Sequence, residues 1–129
     1  MTKLTEARLI TLKKGTTIVL VFDTDTNKTD ILEKNLRFLE RQKGLIKEII
    51  LITQVSNLED ELIRSCNIRE IRELTGSRSN TEFKGDLLKT NNLKAKLDKK
   101  SFDFNKFWIA NAHNDFQFIN NDASKVKLK

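Results

Sequence analysis

Two short apolar runs, TTIVLVFD at 16–23 and EIILITQ at 48–54, constrain this chain more than anything else in its 129 residues. Residues 17–23 are largely β-branched and apolar without alternation, the pattern of a strand buried on both faces. Residues 48–54 repeat it. Between the runs, TDILEKNLRFLERQKG places Ile31, Leu32, Leu36 and Leu39 on one helical face. Gly44 supplies a stop, and Asp30 with Glu33 has the look of a capping box. Strand, helix and strand of this length make a βαβ unit, so the two runs are expected as parallel neighbours. The fold class expected is α/β: a small, mainly parallel sheet flanked by helices, followed by a helical C-terminal part.

The rest of the chain is less regular. RLITLKKG, ahead of the first strand, suits either one arm of a hairpin or a short helix. Ser56 and Glu59 have capping-box spacing and open a helix carrying Leu58, Leu62 and Ile63. IREIREL spaces Ile68, Ile71 and Leu74 by three, which favours a helical turn. Ser79 and Glu82 repeat the capping spacing ahead of Phe83, Leu87 and Leu88. Phe102, Phe104, Phe107 and Trp108 suit an apolar helix face that packs on the sheet. Phe116, Phe118 and Ile119 alternate with polar neighbours as in a last short strand. No repeat or linker divides residues 1–129, which read as one domain with a basic, partly disordered tail at about 121–129.

Charge is distributed unevenly. Residues 1–83 carry 14 Lys and Arg against 13 Asp and Glu, whereas residues 84–129 carry ten Lys against five Asp. A basic end attracts phosphate backbones or acidic surfaces, or serves only as a solubilising tail. Cys66 is the single cysteine and His113 the single histidine, so an intrachain disulfide and a zinc site of several imidazoles are excluded. Cys66 follows Leu62 and Ile63 at helical spacing and reads as a buried structural thiol. His113, among Asn111, Asn114 and Asp115, reads as a surface residue. No apolar stretch approaches membrane-spanning length and no signal-type run opens the chain, so a cytoplasmic location without membrane partners is expected.

Asp23 and Asp25 carry the chemistry. They stand at the carboxyl end of the first strand, where open α/β sheets bind ligands. TQVSNLEDE, at 53–61, leaves the end of the neighbouring strand, so Asp23, Asp25, Glu59, Asp60 and Glu61 are expected to form one acidic cluster. Such oxygen-rich clusters take Mg²⁺ or Mn²⁺, and a cation relieves the repulsion between the two aspartates. Asn27 and Thr29 look like loop and cap residues, so the pair also suits a plain polar turn. Glu59 is equally a capping partner for Ser56. LTGSRSNTEFK, at 74–84, sets Arg78 and Lys84 about a helix start that could hold a phosphate, or is simply a connecting loop capped by Ser79.

VFDTD and VSNLEDEL together resemble the Toprim fold, in its RloB-like and OLD-nuclease-like branch. Asp23 and Asp25 match the D-x-D that ends an apolar strand. Ser56 and Asn57 match the start of a Ser-Asn-Pro-x-Phe-Glu segment, with Leu58 in place of Pro and the acid at Glu59 or Glu61. The similarity covers roughly residues 17–65. It implies a Toprim/Rossmann-like sheet and a metal-dependent nuclease acting on nucleic-acid phosphodiesters. Asp23, Asp25 and Glu59 would be catalytic, with Mg²⁺ or Mn²⁺ on Asp23, Asp25 and Glu61, and Arg78 and Lys84 on substrate phosphate. Toprim catalytic domains also carry a glutamate at the end of an earlier strand. Only Glu6 precedes Asp23 here, and no expected strand ends at it. The expectation is that either the catalytic glutamate is missing or the chain is a fragment of a longer protein, and a non-catalytic interaction domain, as a partner subunit or a Toprim remnant, stands beside the nuclease.

VFDTD also resembles the first motif of haloacid dehalogenase-type phosphatases. That resemblance implies Asp23 as nucleophile, Asp25 as acid and base, Thr53 on phosphate and Lys84 as the neutralising lysine. Asn27 departs from its Thr or Val.

Overall fold

The structure, a computed structural model, describes residues 3–26, 28–42 and 44–127. A short helix α1 (Glu6–Leu9) leads into strand β1 (Thr16–Asp23), helix α2 (Asp30–Glu40) and strand β2 (Ile46–Gln54). β1 and β2 pair in parallel, as the βαβ reading requires, and form a sheet of two strands. Ile18 pairs with Ile49, Val19 with Ile50, Phe22 with Thr53 and Asp23 with Gln54. Of the two readings of RLITLKKG, the short helix is the one present. Gly15, at φ +84°, makes the left-handed bend from α1 into β1 that a Cβ would disfavour.

The sheet has two unequal faces. On one, Phe22 and Leu32 pack with Ala112, Phe116 and Ile119, and with the half-buried Leu20, Leu36 and Leu51. On the other, Ile50 and Ile52 pack with Ala123, Trp108 and Val126. That cover stops at β2. Val19 and Val21 of β1 lie on the same face and are 42% and 43% exposed. The expectation of a β1 buried on both faces is therefore corrected. The covering segment spans one strand, and β1 is left as a half-open edge.

A second core lies beyond the sheet. Leu62 of α3 (Leu58–Ser65), Ile68, Ile71, Leu74 of α4 (Arg72–Thr75), Phe83 of α5 (Asn80–Lys89) and Phe107 meet there. α6 (Leu93–Lys99) adds Leu97 at its margin. Phe83 is fully enclosed. Ser79 caps α5 as expected, its hydroxyl accepting from the Glu82 N–H at 3.3 Å. Glu82 returns its carboxylate to the Arg78 N–H rather than to Ser79.

Several expectations fail for local reasons. α3 is capped by Asn57, extended at φ −151°, whose side chain accepts from the Asp60 N–H; Ser56 lies one residue too early. Asp30 does not cap α2, because it already lies inside the helix and Thr29 is its N-cap. Residues 102–108 run through turns instead of a helix. Ser101 and Trp108 sit at φ +58° and +60°, values that a right-handed helix cannot contain. Residues 115–118 form a turn closed by Gln117 N–H to Asn114 O and Ile119 N–H to Phe116 O, so no third strand forms. The segment expected as a loose basic tail begins in chain that packs on β2. Asp122 N–H donates to Leu51 O at 2.9 Å, Ala123–Lys125 make a 3-10 turn, and Ala123 is buried. Leu128 and Lys129, the end of that expected tail, and Asn27, expected as a loop residue, lie outside the described residues. No helix among the described residues is long and apolar enough to cross a membrane.

Candidate functional site

β1 delivers Asp23 to the carboxyl end of the sheet, and the chain turns there on Thr24. Thr24 is buried, and its N–H is shared between Gln54 O at 3.2 Å and Ser56 O at 2.7 Å. The Asn114 side-chain amide donates to Thr24 O at 2.5 Å. With Thr24 turned inward, the carboxylates on either side of it reach the surface. Asp23 Oδ1 accepts from Gln54 Nε2 at 2.7 Å, and Asp25 Oδ2 accepts from Asn57 Nδ2 at 3.2 Å. Each aspartate is thus oriented by one amide from the end of β2 or the turn that follows it. The other Asp23 oxygen faces Lys84 Nζ at 3.8 Å. The Lys84 side chain is 64% exposed, so this pair is solvent-screened and weak. Both aspartates line a cleft of about 660 Å³ with Thr26, Lys28, Gln54 and Phe116.

Glu61 goes elsewhere. It is fully buried; its Oε2 accepts from the Val55 N–H at 2.9 Å, and its Oε1 accepts from the Trp108 N–H at 3.4 Å and pairs with Arg64 at 3.4 Å. Both oxygens of Glu61, expected as a cation ligand, are engaged here in holding the turn after β2 and the left-handed Trp108. Glu59 is also buried, and its Oε2 has no hydrogen-bond partner. It does not return to Ser56, so the capping reading is corrected. Among the described residues, no three of His, Cys, Asp and Glu stand together as a metal-holding group. The five-membered acidic cluster therefore reduces to the pair Asp23 and Asp25.

Of the two cations expected on phosphate, Lys84 reaches the pair. Arg78 is exposed beside the start of α5, and nothing links it to the aspartates. Thr53 is fully buried and its hydroxyl donates to Ala110 O at 3.3 Å, so the strand neighbour presented to Asp23 is Gln54. Cys66 is half-buried after the end of α3, and burial pushes its thiol above the ordinary value. His113 is exposed, as its neighbours indicated.

Three residues that build the site were not singled out for it: Gln54, Trp108 and Asn114. Trp108 stacks on Phe107 at 4.6 Å between ring centroids, and its indole N–H donates to Gln54 Oε1 at 3.3 Å. The signal for Gln54 was its place at the end of a strand beside Asp23. Asn114 and Trp108 come from irregular chain and carry no local signal.

Compared with known proteins, the chain matches no family model, no curated protein and no solved structure.

Proposed function

We propose that this chain is a divalent-cation-binding, Toprim-like module that acts on nucleic-acid phosphodiesters, with Mg²⁺ or Mn²⁺ held by Asp23 and Asp25. The observation that carries this reading is that both carboxylates open onto one cleft at the carboxyl end of the sheet. Each accepts one side-chain amide, Asp23 from Gln54 and Asp25 from Asn57, which leaves its second oxygen open to other partners. Mg²⁺ is typically bound by one or two carboxylates together with water and substrate phosphate, so two aspartates without a third acid suit it. The cation would polarise a phosphodiester oxygen and acidify a bound water. The chain's own contribution is to present Asp23 and Asp25 at one cleft with Lys84 beside Asp23, where its ammonium can meet substrate phosphate. A single free thiol suits a cytoplasmic location.

A second reading is a non-catalytic domain that binds the cation or a protein partner. It is favoured because, among the described residues, no third acid groups with the pair to hold a metal, and both oxygens of Glu61 are engaged elsewhere. The phosphatase reading gains from Lys84 at 3.8 Å from Asp23 and loses from the committed hydroxyl of Thr53.

The test is incubation with single- and double-stranded DNA and RNA in Mn²⁺. Cleavage that Asp23→Asn abolishes supports the nuclease. Cation binding without cleavage leaves the non-catalytic domain. Phosphate release from a monoester would transfer the assignment to the phosphatase.

A further inference from the structure

The two edges of the sheet are treated differently. The outer edge of β2 is covered: Asp122 N–H donates to Leu51 O, and the Asn121 amide donates to Thr53 O. The outer edge of β1 is bare. Among the described residues, no backbone group from another segment bonds to residues 17–23 except through β2. A bare edge is a template for another strand, and natural sheets usually blunt it with lysine, proline or a bulge that twists it away. Residues 17–22, TIVLVF, contain neither lysine nor proline, and the one irregularity in the ladder lies before them, between Thr16 and Thr17.

We propose that β1 pairs with β1 of a second copy of this chain, antiparallel about a two-fold axis at Val19, giving a continuous sheet of four strands. Charge selects this occupant and this register. Lys13 and Lys14 precede β1 and are exposed, while Asp23 ends it and the exposed Asp25 follows the turn on Thr24. Antiparallel pairing centred on Val19 brings the turn that carries Lys13 and Lys14, which bends at Gly15 just before the strand, beside the Asp23 end of the other copy, at both ends of the ribbon at once. The same register pairs Val19 with Val19 and Val21 with Thr17 across the axis, on the face where Val19 and Val21 are now exposed. Such β-branched cross-strand pairs stabilise a sheet. The interface is isologous, so it closes as a dimer and does not propagate. Each copy thereby contributes lysines to the rim of the other's aspartate pair. The pairing draws on the charge of Asp23 and Asp25, which a bound divalent cation would cancel, so it is tested on the chain in chelator, where the cation reading plays no part.

Sedimentation equilibrium of the full chain tests it. The wild type should be dimeric at micromolar concentration, with a dissociation constant that rises with salt. Val19→Lys sets two like charges opposite each other and should raise that constant by at least about tenfold, with an unchanged far-UV spectrum. Leu88→Lys, at an 88% exposed apolar position on α5 and outside β1, should leave it unchanged. Lys13→Glu/Lys14→Glu changes only exposed residues outside the strand; it should weaken the dimer and reverse the sign of its salt dependence. A wild type that stays monomeric overturns the proposal and leaves the edge for a strand from another source. A dimer indifferent to Val19→Lys and to the double charge reversal overturns it as well.

Discussion

Gln54 and Asp23 are register partners across the parallel sheet, and the Gln54 amide donates to Asp23 Oδ1 at 2.7 Å. The other end of the same amide accepts from the indole N–H of Trp108. One side chain thus ties the candidate cation ligand to an aromatic residue 54 positions from Gln54 along the chain. Gln54→Leu removes both bonds. It should weaken Mn²⁺ binding by about tenfold, as losses in the outer shell of a metal site do, and shift Trp108 fluorescence to the red as the indole turns to water. Unchanged affinity with a shifted spectrum would mean that Asp23 needs no orientation.

Glu59 and Glu61 are two residues apart on α3, and their substitutions should have opposite outcomes. Glu61 satisfies the Val55 and Trp108 N–H groups. Glu61→Met strands both donors and should cost about 2–5 kcal/mol in urea denaturation. Glu59 Oε2 is buried without a partner. Glu59→Met replaces it with an apolar side chain of similar length and should leave stability unchanged or raise it by about 1 kcal/mol.

Lys84 should oppose the cation even as it serves the substrate. Its ammonium faces Asp23 at 3.8 Å. Lys84→Met should raise Mn²⁺ affinity on the order of fivefold by removing a like charge from the site. The same variant should bind a short oligonucleotide more weakly and with a shallower salt dependence. If Mn²⁺ affinity falls instead, Lys84 is not a competitor for the pair.

Glu73 provides a pH signature away from the site. The backbone N–H groups of Glu70 and Arg69 hold its carboxyl below the ordinary value of 4.5. A group lowered on folding adds stability above its unfolded value and loses it as pH falls through the folded one. Thermal melts of wild type and Glu73→Gln should therefore differ at neutral pH. They should converge as acid carries the wild type through that lowered value.

The βαβ unit was legible because its evidence is local. Two apolar runs and an amphipathic helix of the right length leave little choice of pairing, and the D-x-D falls at a strand end by position alone. The exposure of Val19 and Val21 was not legible. A run apolar on every residue looks the same whether its second face is covered or open, and the cover here comes from residues 108–126. The burial of Glu61 was not legible because sequence places acids at a strand end but does not say which way they turn. Its partners, the N–H groups of Val55 and Trp108, are backbone atoms and leave no trace in residue type. The helix expected at 102–108 failed because Ser101 closes α6 in a left-handed cap, with its N–H on Asp98 O and the Phe102 N–H on Leu97 O, while the left-handed Trp108 gives its N–H to the distant Glu61.

The central claim is that Asp23 and Asp25 bind a divalent cation, and calorimetric titration of the chain with Mn²⁺ tests it most directly. Saturable binding in the wild type, lost in Asp23→Asn/Asp25→Asn with the fold intact, is the predicted result. A wild type that takes up no Mn²⁺ into the millimolar range would contradict it and leave the two carboxylates as the polar end of a strand.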